Sequence, residues 1–287
     1  MKKKIALVTG SDKNYLPFLK QLLHSIIKNK IYNFVDIFLF SINLDKKSLI
    51  KYEPYIKKIV DPNFTIKLNF KPKNAWTKLL TERPYLKDYF PGYKMYIWVD
   101  ADTFFQNDKG IKDLISACKV NEIGIAPEIS PSYIFSHNNF GIKHVLGSFY
   151  KIKGWSFKNY KRFFSKNIAE SLLFRPLFNN GVFCLNANSS LWIQWKQIYK
   201  DALLKCSDEY GLKTDQLSLN ISLRNNIERV GILDPINNWI YKLSTPYFDK
   251  KNSKFYTPDF PRREINIMHL TGLKYKDSYK KIFSLMQ

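Results

Sequence analysis

The strongest chemical signal in the sequence is Tyr96-Ile97-Trp98-Val99-Asp100-Ala101-Asp102-Thr103. Four residues of strand-forming type run straight into two carboxylates two positions apart. If the chain stays extended, Asp100 and Asp102 project to the same side. Hard oxygen ligands converging at a strand end suit Mg²⁺ or Mn²⁺, ions that commonly bridge to substrate phosphates. A solvated strand-to-loop turn is the plain alternative, because Asp is common there. A phosphatase using the first Asp as nucleophile would want Thr or Val two positions past the second, where Phe104 stands.

Three further clusters carry weaker signals. In Ile265-Asn266-Ile267-Met268-His269-Leu270-Thr271-Gly272, an imidazole at the end of an apolar run could complete an Asp/Asp/His site. One nitrogen ligand tilts the preference from Mg²⁺ toward Mn²⁺. A satisfied core histidine is the alternative. Gly272 would let backbone approach a phosphate closely. Phe178-Asn179-Asn180-Gly181-Val182-Phe183 puts amides and Gly directly before a strand, or else forms an Asn-Gly turn. In Thr214-Asp215-Gln216-Leu217-Ser218-Leu219-Asn220, Thr214 could be a helix N-cap with Asp215 and Gln216 in the first turn. His24, His137 and His144 share no metal-ligand spacing, and GxSxG, P-loop and GxGxxG patterns are absent. Trp192 and Trp195, at i and i+3, read as core.

These residues need elements to position them. Apolar runs at 5–9, 34–42, 64–70 and 93–99 read as strands. Helical spacing falls at 15–28, at 46–60 with Pro54 interrupting, and at 76–89 around Pro84. Such alternation marks a doubly wound α/β domain, which places ligands at the carboxyl ends of its strands. Beyond Asp100 the expected helices are 111–119, 157–173, 191–204 and 212–223, and the strands 123–126, 181–185 and 265–270. Residues 130–150, aromatic and rich in Gly, Ser and Asn, read as a loop or lid. No linker is long enough to separate domains.

Composition bounds the rest. The chain has 287 residues, enough for an ample core, and 45% hydrophobic content is too high for disorder. Cys118, Cys184 and Cys206 offer neither a disulfide framework nor a metal knuckle, so a reducing compartment is the simpler reading. The apolar run after Lys4 stops within four residues, too short for a signal peptide, and nothing approaches a membrane span. A cytoplasmic location follows as an expectation. The net charge of +22 comes from 39 Lys and seven Arg, whereas phosphate and base readers lean on Arg. Genome-wide nucleotide bias explains it, as does contact with an anionic membrane face or an acidic substrate. Nucleic acid is not an expected partner.

Taken together and in order, the four motifs resemble the GT-A-fold glycosyltransferases, and family 8 (the glycogenin and lipopolysaccharide galactosyltransferase group) most closely. Residues 96–102 are similar to that family's "LYLDaD" strand, 178–183 to "fNaGv", 215–220 to "DQ…lN" and 268–272 to "HftG". The resemblance covers most of the chain. It implies an α/β fold with a mixed, mainly parallel central sheet flanked by helices, in one domain spanning 1–287. Residues 1–105 would form the nucleotide-binding half and 106–230 the acceptor-side half, with 231–287 returning to the metal site.

The resemblance also implies roles. Asp100, Asp102 and His269 would hold Mn²⁺ (or Mg²⁺) on the diphosphate of a nucleotide sugar, by family default a UDP-sugar. Gly10, Asp12 and Tyr15 would lie beside the nucleotide, with Asp100 also touching ribose or sugar. Asn179 would line the sugar and acceptor pocket, Asp215 would bind donor-sugar hydroxyls, and Gln216 would sit near the anomeric carbon. Gly272 would admit the β-phosphate. The family's Lys three residues after Gly is Tyr275 here, flanked by Lys274 and Lys276. Either Lys could supply the diphosphate's positive partner, and Lys274 is the one assigned to it. The family's Ala after the motif Asn is Asn180. Lys78, ahead of Arg83, fits the basic residue expected on the helix before the Asp-rich strand.

The implied activity is hexose transfer to a glycan, glycolipid or protein hydroxyl with retention of configuration. No covalent nucleophile stands out, so same-face attack by the acceptor is the implied route. Two rivals belong to other classes: a basic, non-catalytic module binding nucleic acid or a membrane surface, and a nucleotidyltransferase of related fold. The latter would need a Gly/Arg/Lys-rich loop after the first strand, and Gly10-Ser11-Asp12-Lys13-Asn14 is a poor version of one.

Overall fold

The structure is a computed structural model and describes residues 4–133, 141–145, 149–271 and 282, the side chains of 46 and 141–153 excepted. In the first half, strands β1 (Ile5–Asp12), β2 (Asp36–Ile42), β3 (Ile56–Val60) and β4 (Met95–Val99) alternate with helices α1 (Leu16–Lys28), α2 (Lys78–Glu82) and α3 (Leu86–Tyr89). Then come β5 (Thr103–Phe105), α4 (Lys109–Val120), β6 (Ile123–Pro127), the antiparallel pair β7 (Gly141–Val145) and β8 (Phe149–Lys153), α5 (Trp155–Phe163) and α6 (Lys166–Ser171). The remainder comprises β9 (Phe178–Asn186), α7 (Leu191–Leu204), α8 (Asp215–Arg224), β10 (Val230–Ile232), β11 (Trp239–Ile240), β12 (Tyr247–Asp249), β13 (Lys254–Tyr256) and β14 (Ile267–His269).

Seven strands form the central sheet in the order β10-β6-β9-β4-β1-β2-β3. Neighbours are parallel except at β9, which runs antiparallel to both β4 and β6. Period-two alternation divides the strand side chains between two cores. Ala6, Val8, Phe38, Phe40, Tyr96, Trp98 and Phe183 face one core, shared with α7 and α8. Leu7, Ile37, Leu39, Ile97, Val99 and Val182 face the other, shared with α1 and α4. The outcome is the mixed, mainly parallel sheet between helical layers that the sequence implies. A second sheet, β11-β14-β5, crosses beside it, with His269 opposite Thr103 in antiparallel register. No described helix is long and apolar enough to cross a membrane.

Several expected elements are corrected. The third strand is Ile56–Val60 rather than 64–70, and the stretch before it, Lys46–Tyr55, is 3₁₀ helix ending just past Pro54. Ile66 and Leu68 still pack against the first core, but from irregular backbone bracketed by Pro62 and Pro72. Alternating side chains there fill a core without joining a ladder. The 157–173 helix breaks in two at Ser165, whose hydroxyl accepts from Ile168 N–H and starts α6. Residues 130–150 contain β7 and the first two residues of β8, so part of the expected loop is strand. β9 begins at Phe178, so Asn179, Asn180 and Gly181 are strand residues, not a turn.

Candidate active site

The carboxyl ends of β1, β4 and β6 open onto one rim of the central sheet, where such folds bind ligands. Because β9 is antiparallel, its amino end reaches the same rim. The Asp100 amide donates to Gly181 carbonyl at 2.7 Å, and Leu270 N–H donates to Asp102 carbonyl at 2.8 Å. The Asp-rich loop is thereby tied to β9 on one side and to the β14 segment on the other.

Asp100, Asp102 and His269 each offer a ligand atom, and these atoms lie within 4.8 Å of one another. His269 Nε2 is 3.4 Å from Asp102 Oδ1 and 3.8 Å from Asp100 Oδ2. The other Asp100 oxygen is occupied: Oδ1 accepts from Arg83 Nη2 at 2.5 Å and from Trp98 Nε1 at 2.7 Å. That leaves Oδ2 toward the imidazole.

A hydrogen-bond chain sets the imidazole tautomer. Gly181 N–H can only donate, so the Asn179 atom it meets at 2.9 Å is the side-chain oxygen. Asn238 donates its amide to that oxygen at 3.0 Å and turns its own oxygen to His269 Nδ1 at 2.9 Å. Nδ1 must carry the proton, and Nε2 directs a lone pair at the two carboxylates when the ring is neutral. This is the arrangement of a metal-ligating histidine with an outer partner.

The electrostatics agree. Burial pushes the Asp100 carboxyl above its ordinary range, and Arg83 and His269 only partly counter it. Burial alone would lower His269, but Asp102 and Asp100 raise it instead. A divalent cation held by the two carboxylates and the imidazole nitrogen would supply the positive charge that the Asp100 carboxyl lacks. The donor set suits Mn²⁺ or Mg²⁺, the nitrogen favouring the former.

Arg83 is the other organiser. It is buried, and burial would lower its basicity, but Asp100 and Asp215 hold it fully cationic and raise it. Its Nη1 donates to Asp215 Oδ2 at 2.7 Å and to Asn180 Oδ1 at 3.2 Å. Asn180 also donates to Asp215 at 2.8 Å. Lys78, by contrast, reaches Asp61, 3.5 Å away. The basic residue on Asp100 is therefore Arg83, not Lys78: the helical segment turns Lys78 toward the 61–72 stretch and carries Arg83 under the Asp-rich strand.

Two contiguous cavities meet at this cluster. One of about 430 Å³ is lined by Gly10, Asp12, Tyr15, Trp76, Trp98 and the Asp-rich loop. Asp12 there accepts from the amides of Asn14 and Tyr15, which shapes the turn into α1. The other, about 530 Å³, is lined by Glu128, Trp155, Asn179, Gly181, Asp215, Gln216, His269 and others. Trp76, Leu80, Arg83, Asp100 and Asp102 border both. Gly272 and Lys274, with Tyr275 and Lys276, lie outside the described residues.

The sequence reading missed Glu128 and Asn238. Buried Glu128 Oε1 accepts from Asn179 Nδ2 at 2.8 Å and Gln216 Nε2 at 2.9 Å. It follows the β6 run directly, as Asp100 follows β4, so the strand-end logic could have found it. Asn237-Asn238 precede an apolar pair much as Asn179-Asn180 precede Gly181-Val182, a weaker signal.

Residues 6–276 match the profile of Glycosyl transferase family 8. The chain belongs to glycosyltransferase family 8. Among solved structures, the family 8 chain is similar to the bifunctional glycosyltransferase WbbM in its apo form, at 15% identity and a TM-score of 0.62. The match covers all of this chain but half of WbbM. It is similar also to the galactosyltransferase LgtC in complex with donor and acceptor sugar analogs, at 12% identity and a TM-score of 0.54, covering 98% of this chain and 95% of LgtC. At these identities the likeness establishes the GT-A fold. No curated protein sequence matches. The family 8 chain is a glycosyltransferase of GT-A fold.

Proposed function

We propose that the chain transfers a hexose from a nucleotide-diphosphate sugar, UDP-sugar by family default, to a hydroxyl of a glycan, glycolipid or protein acceptor, with retention. The observation that carries this is that Asp100 and Asp102, grouped with His269, border both cavities. The nucleoside would occupy the cavity at Gly10, Asp12 and Tyr15, and the sugar and acceptor the cavity at Asn179, Asp215 and Gln216. Mn²⁺ (or Mg²⁺) held by Asp100, Asp102 and His269 would neutralise the diphosphate leaving group. Lys274, or Lys276, remains the proposed second cation on that diphosphate, and Gly272 the proposed backbone approach to it.

The roles of the other residues follow from which polar atoms stay available. Asp215 Oδ2 is engaged by Arg83 and Asn180, so Oδ1 is left for donor-sugar hydroxyls. Gln216 Nε2 donates to Glu128 Oε1 and to Phe178 carbonyl at 3.0 Å, so its remaining polar atom is Oε1. An amide oxygen near the anomeric carbon stabilises positive charge as the C–O bond breaks toward an oxocarbenium-like state. Gln216 orients and stabilises there without attacking. The acceptor hydroxyl would enter from the face the diphosphate leaves, which preserves configuration.

The test is a thermal-shift panel of UDP, GDP, CDP and ADP, each with Mn²⁺ and with EDTA, on wild type and Asp102→Asn. One nucleotide should raise Tm only with Mn²⁺, and only in wild type. A ligand at 100 times its Kd adds about 2.7 kcal/mol. No shift with any nucleotide, in folded protein, would sink the assignment. NMR of the glycoside product then reads the anomer directly, and an inverted product would overturn retention.

A further inference from the structure

The acceptor-side cavity continues past the transfer site. Trp155, which lines it, also lines a third cavity of about 500 Å³ with Lys158, Asn159, Arg162 and Tyr210. Trp155 and Tyr210 are each 38% exposed, large aromatic surface for a solvent-facing cavity. Two cations lie over the Tyr210 ring, beside the exposed Trp155 surface. The Arg162 guanidinium lies 5.4 Å from the Tyr210 ring centre and Lys213 Nζ lies 5.8 Å from it, while Lys158 is exposed on the same wall. Lys213 and Lys242 line the acceptor-side cavity itself.

Asp208 and Glu209 adjoin Tyr210 in sequence, and Glu128 and Asp215 of the neighbouring cavity are held by Asn179, Gln216, Arg83 and Asn180. Arg162 pairs with Asp208 at 3.7 Å, with both side chains more than half exposed, an arrangement that holds the cation weakly. Glu209 is engaged elsewhere, accepting from Lys73 N–H and Asn74 Nδ2 at 2.9 Å each. An aromatic floor accepts the C–H face of a pyranose ring, and a cationic rim accepts an anionic group on that ring. A neutral sugar would use the floor and leave the rim unmatched.

We propose that the acceptor is an anionic glycan, whose sugar bearing a carboxylate or phosphate sits on the Trp155–Tyr210 platform among Lys158, Arg162 and Lys213. This rests on the transferase reading of the cleft and adds the substrate's charge to it. The platform adjoins the transfer cavity through one shared residue, so the charged sugar would be a near neighbour of the unit that receives the hexose.

The experiment compares binding of methyl β-glucuronide, glucose 6-phosphate and neutral methyl β-glucoside by saturation-transfer NMR titration. It uses wild type, Trp155→Ala and the charge reversal Arg162→Glu, each checked for wild-type circular dichroism and Tm. At least one charged sugar should bind wild type about tenfold tighter than the glucoside, which is about 1.4 kcal/mol. Trp155→Ala should weaken all three, and Arg162→Glu only the charged ones. The glucuronide and phosphate arms separate a uronic-type acceptor from a phosphorylated one. Equal affinity for charged and neutral sugars, no binding of either charged sugar, or indifference to Arg162→Glu would overturn the proposal. UDP·Mn²⁺ binding is measured on the same wild-type protein. If it fails, the transferase reading fails; if it holds without charge discrimination, only the anionic-acceptor inference does.

Discussion

A Cβ placed on Gly181 would stand 2.4 Å from Cε1 of His269 and 2.7 Å from Asp100 Oδ2. Strand β9 thus passes so near the ligand cluster that only a hydrogen fits between them. Gly181→Ala should displace the imidazole or the carboxylate. Mn²⁺ affinity should fall by at least the 10–100-fold (about) seen when a ligand's support is disturbed. Electron paramagnetic resonance of free Mn²⁺ at fixed UDP reads the change, and wild-type affinity in a folded variant would contradict it.

Asn238 sets which imidazole nitrogen faces the carboxylates. Asn238→Leu removes the acceptor for Nδ1–H and should weaken Mn²⁺ by about 10–100-fold. Asn238→Asp keeps an oxygen at that position and should recover part of the loss. Calorimetric titration of both variants distinguishes a tautomer effect from a general loss of packing, which would weaken both alike.

Arg83 and Lys78, five residues apart, should differ sharply in what they contribute to stability. Arg83→Met leaves Asp100 and Asp215 without their shared cation in a buried setting, and breaking such a pair costs about 3–5 kcal/mol. Lys78→Met breaks a single pair to an exposed carboxylate, worth about 0–1 kcal/mol. Urea unfolding midpoints for the two variants should rank accordingly, and comparable losses would refute the assignment.

Glu264 supplies a pH dependence away from the cleft. Burial would raise its carboxyl, but Lys254 at 2.8 Å and Asn107 hold it below its ordinary value. A depressed carboxyl adds stability above its unfolded pKa and loses it as pH falls through the folded one. The Tm gap between wild type and Lys254→Met should therefore be widest near neutral pH and close in acid below the ordinary carboxylate range. A gap that widens on acidification would reverse the sign.

How much of this was legible in the sequence depends on range. Asp100 and Asp102 stood out because a strand led straight into them, and His269 because its apolar run ended on it. The 191–204 helix was read at its observed bounds, since Trp192, Trp195 and Tyr199 repeat at helical spacing. What failed was whatever needed a partner distant in sequence. The 64–70 stretch alternates like a strand, yet it joins no described strand ladder, and Thr65 donates its N–H and hydroxyl to buried Glu82 instead. Preferring Lys78 to Arg83 was a choice between neighbours on one segment. The fold sets Asp100, Asp215 and Asn180 against Arg83, contacts that local spacing cannot show. Glu128 and Asn238 act through Asn179, Gln216 and His269, contacts invisible to local spacing.

The second sheet gives the cleft a mechanical reach. Gln106 donates to the Phe255 and Ile265 carbonyls and accepts from Phe255 N–H, riveting the strand after the Asp-rich loop to the chain's C-terminal third. His269 lies in that same assembly, whereas Asp100 ends a strand of the main sheet. A ligand gripping all three side chains acts as a clasp between two sheets that otherwise meet along a seam. Occupancy of the cleft should then slow amide exchange at Phe104, Phe255 and Met268, residues that line neither of the two cavities. The cleft's loading state would be readable from the backbone of the second sheet.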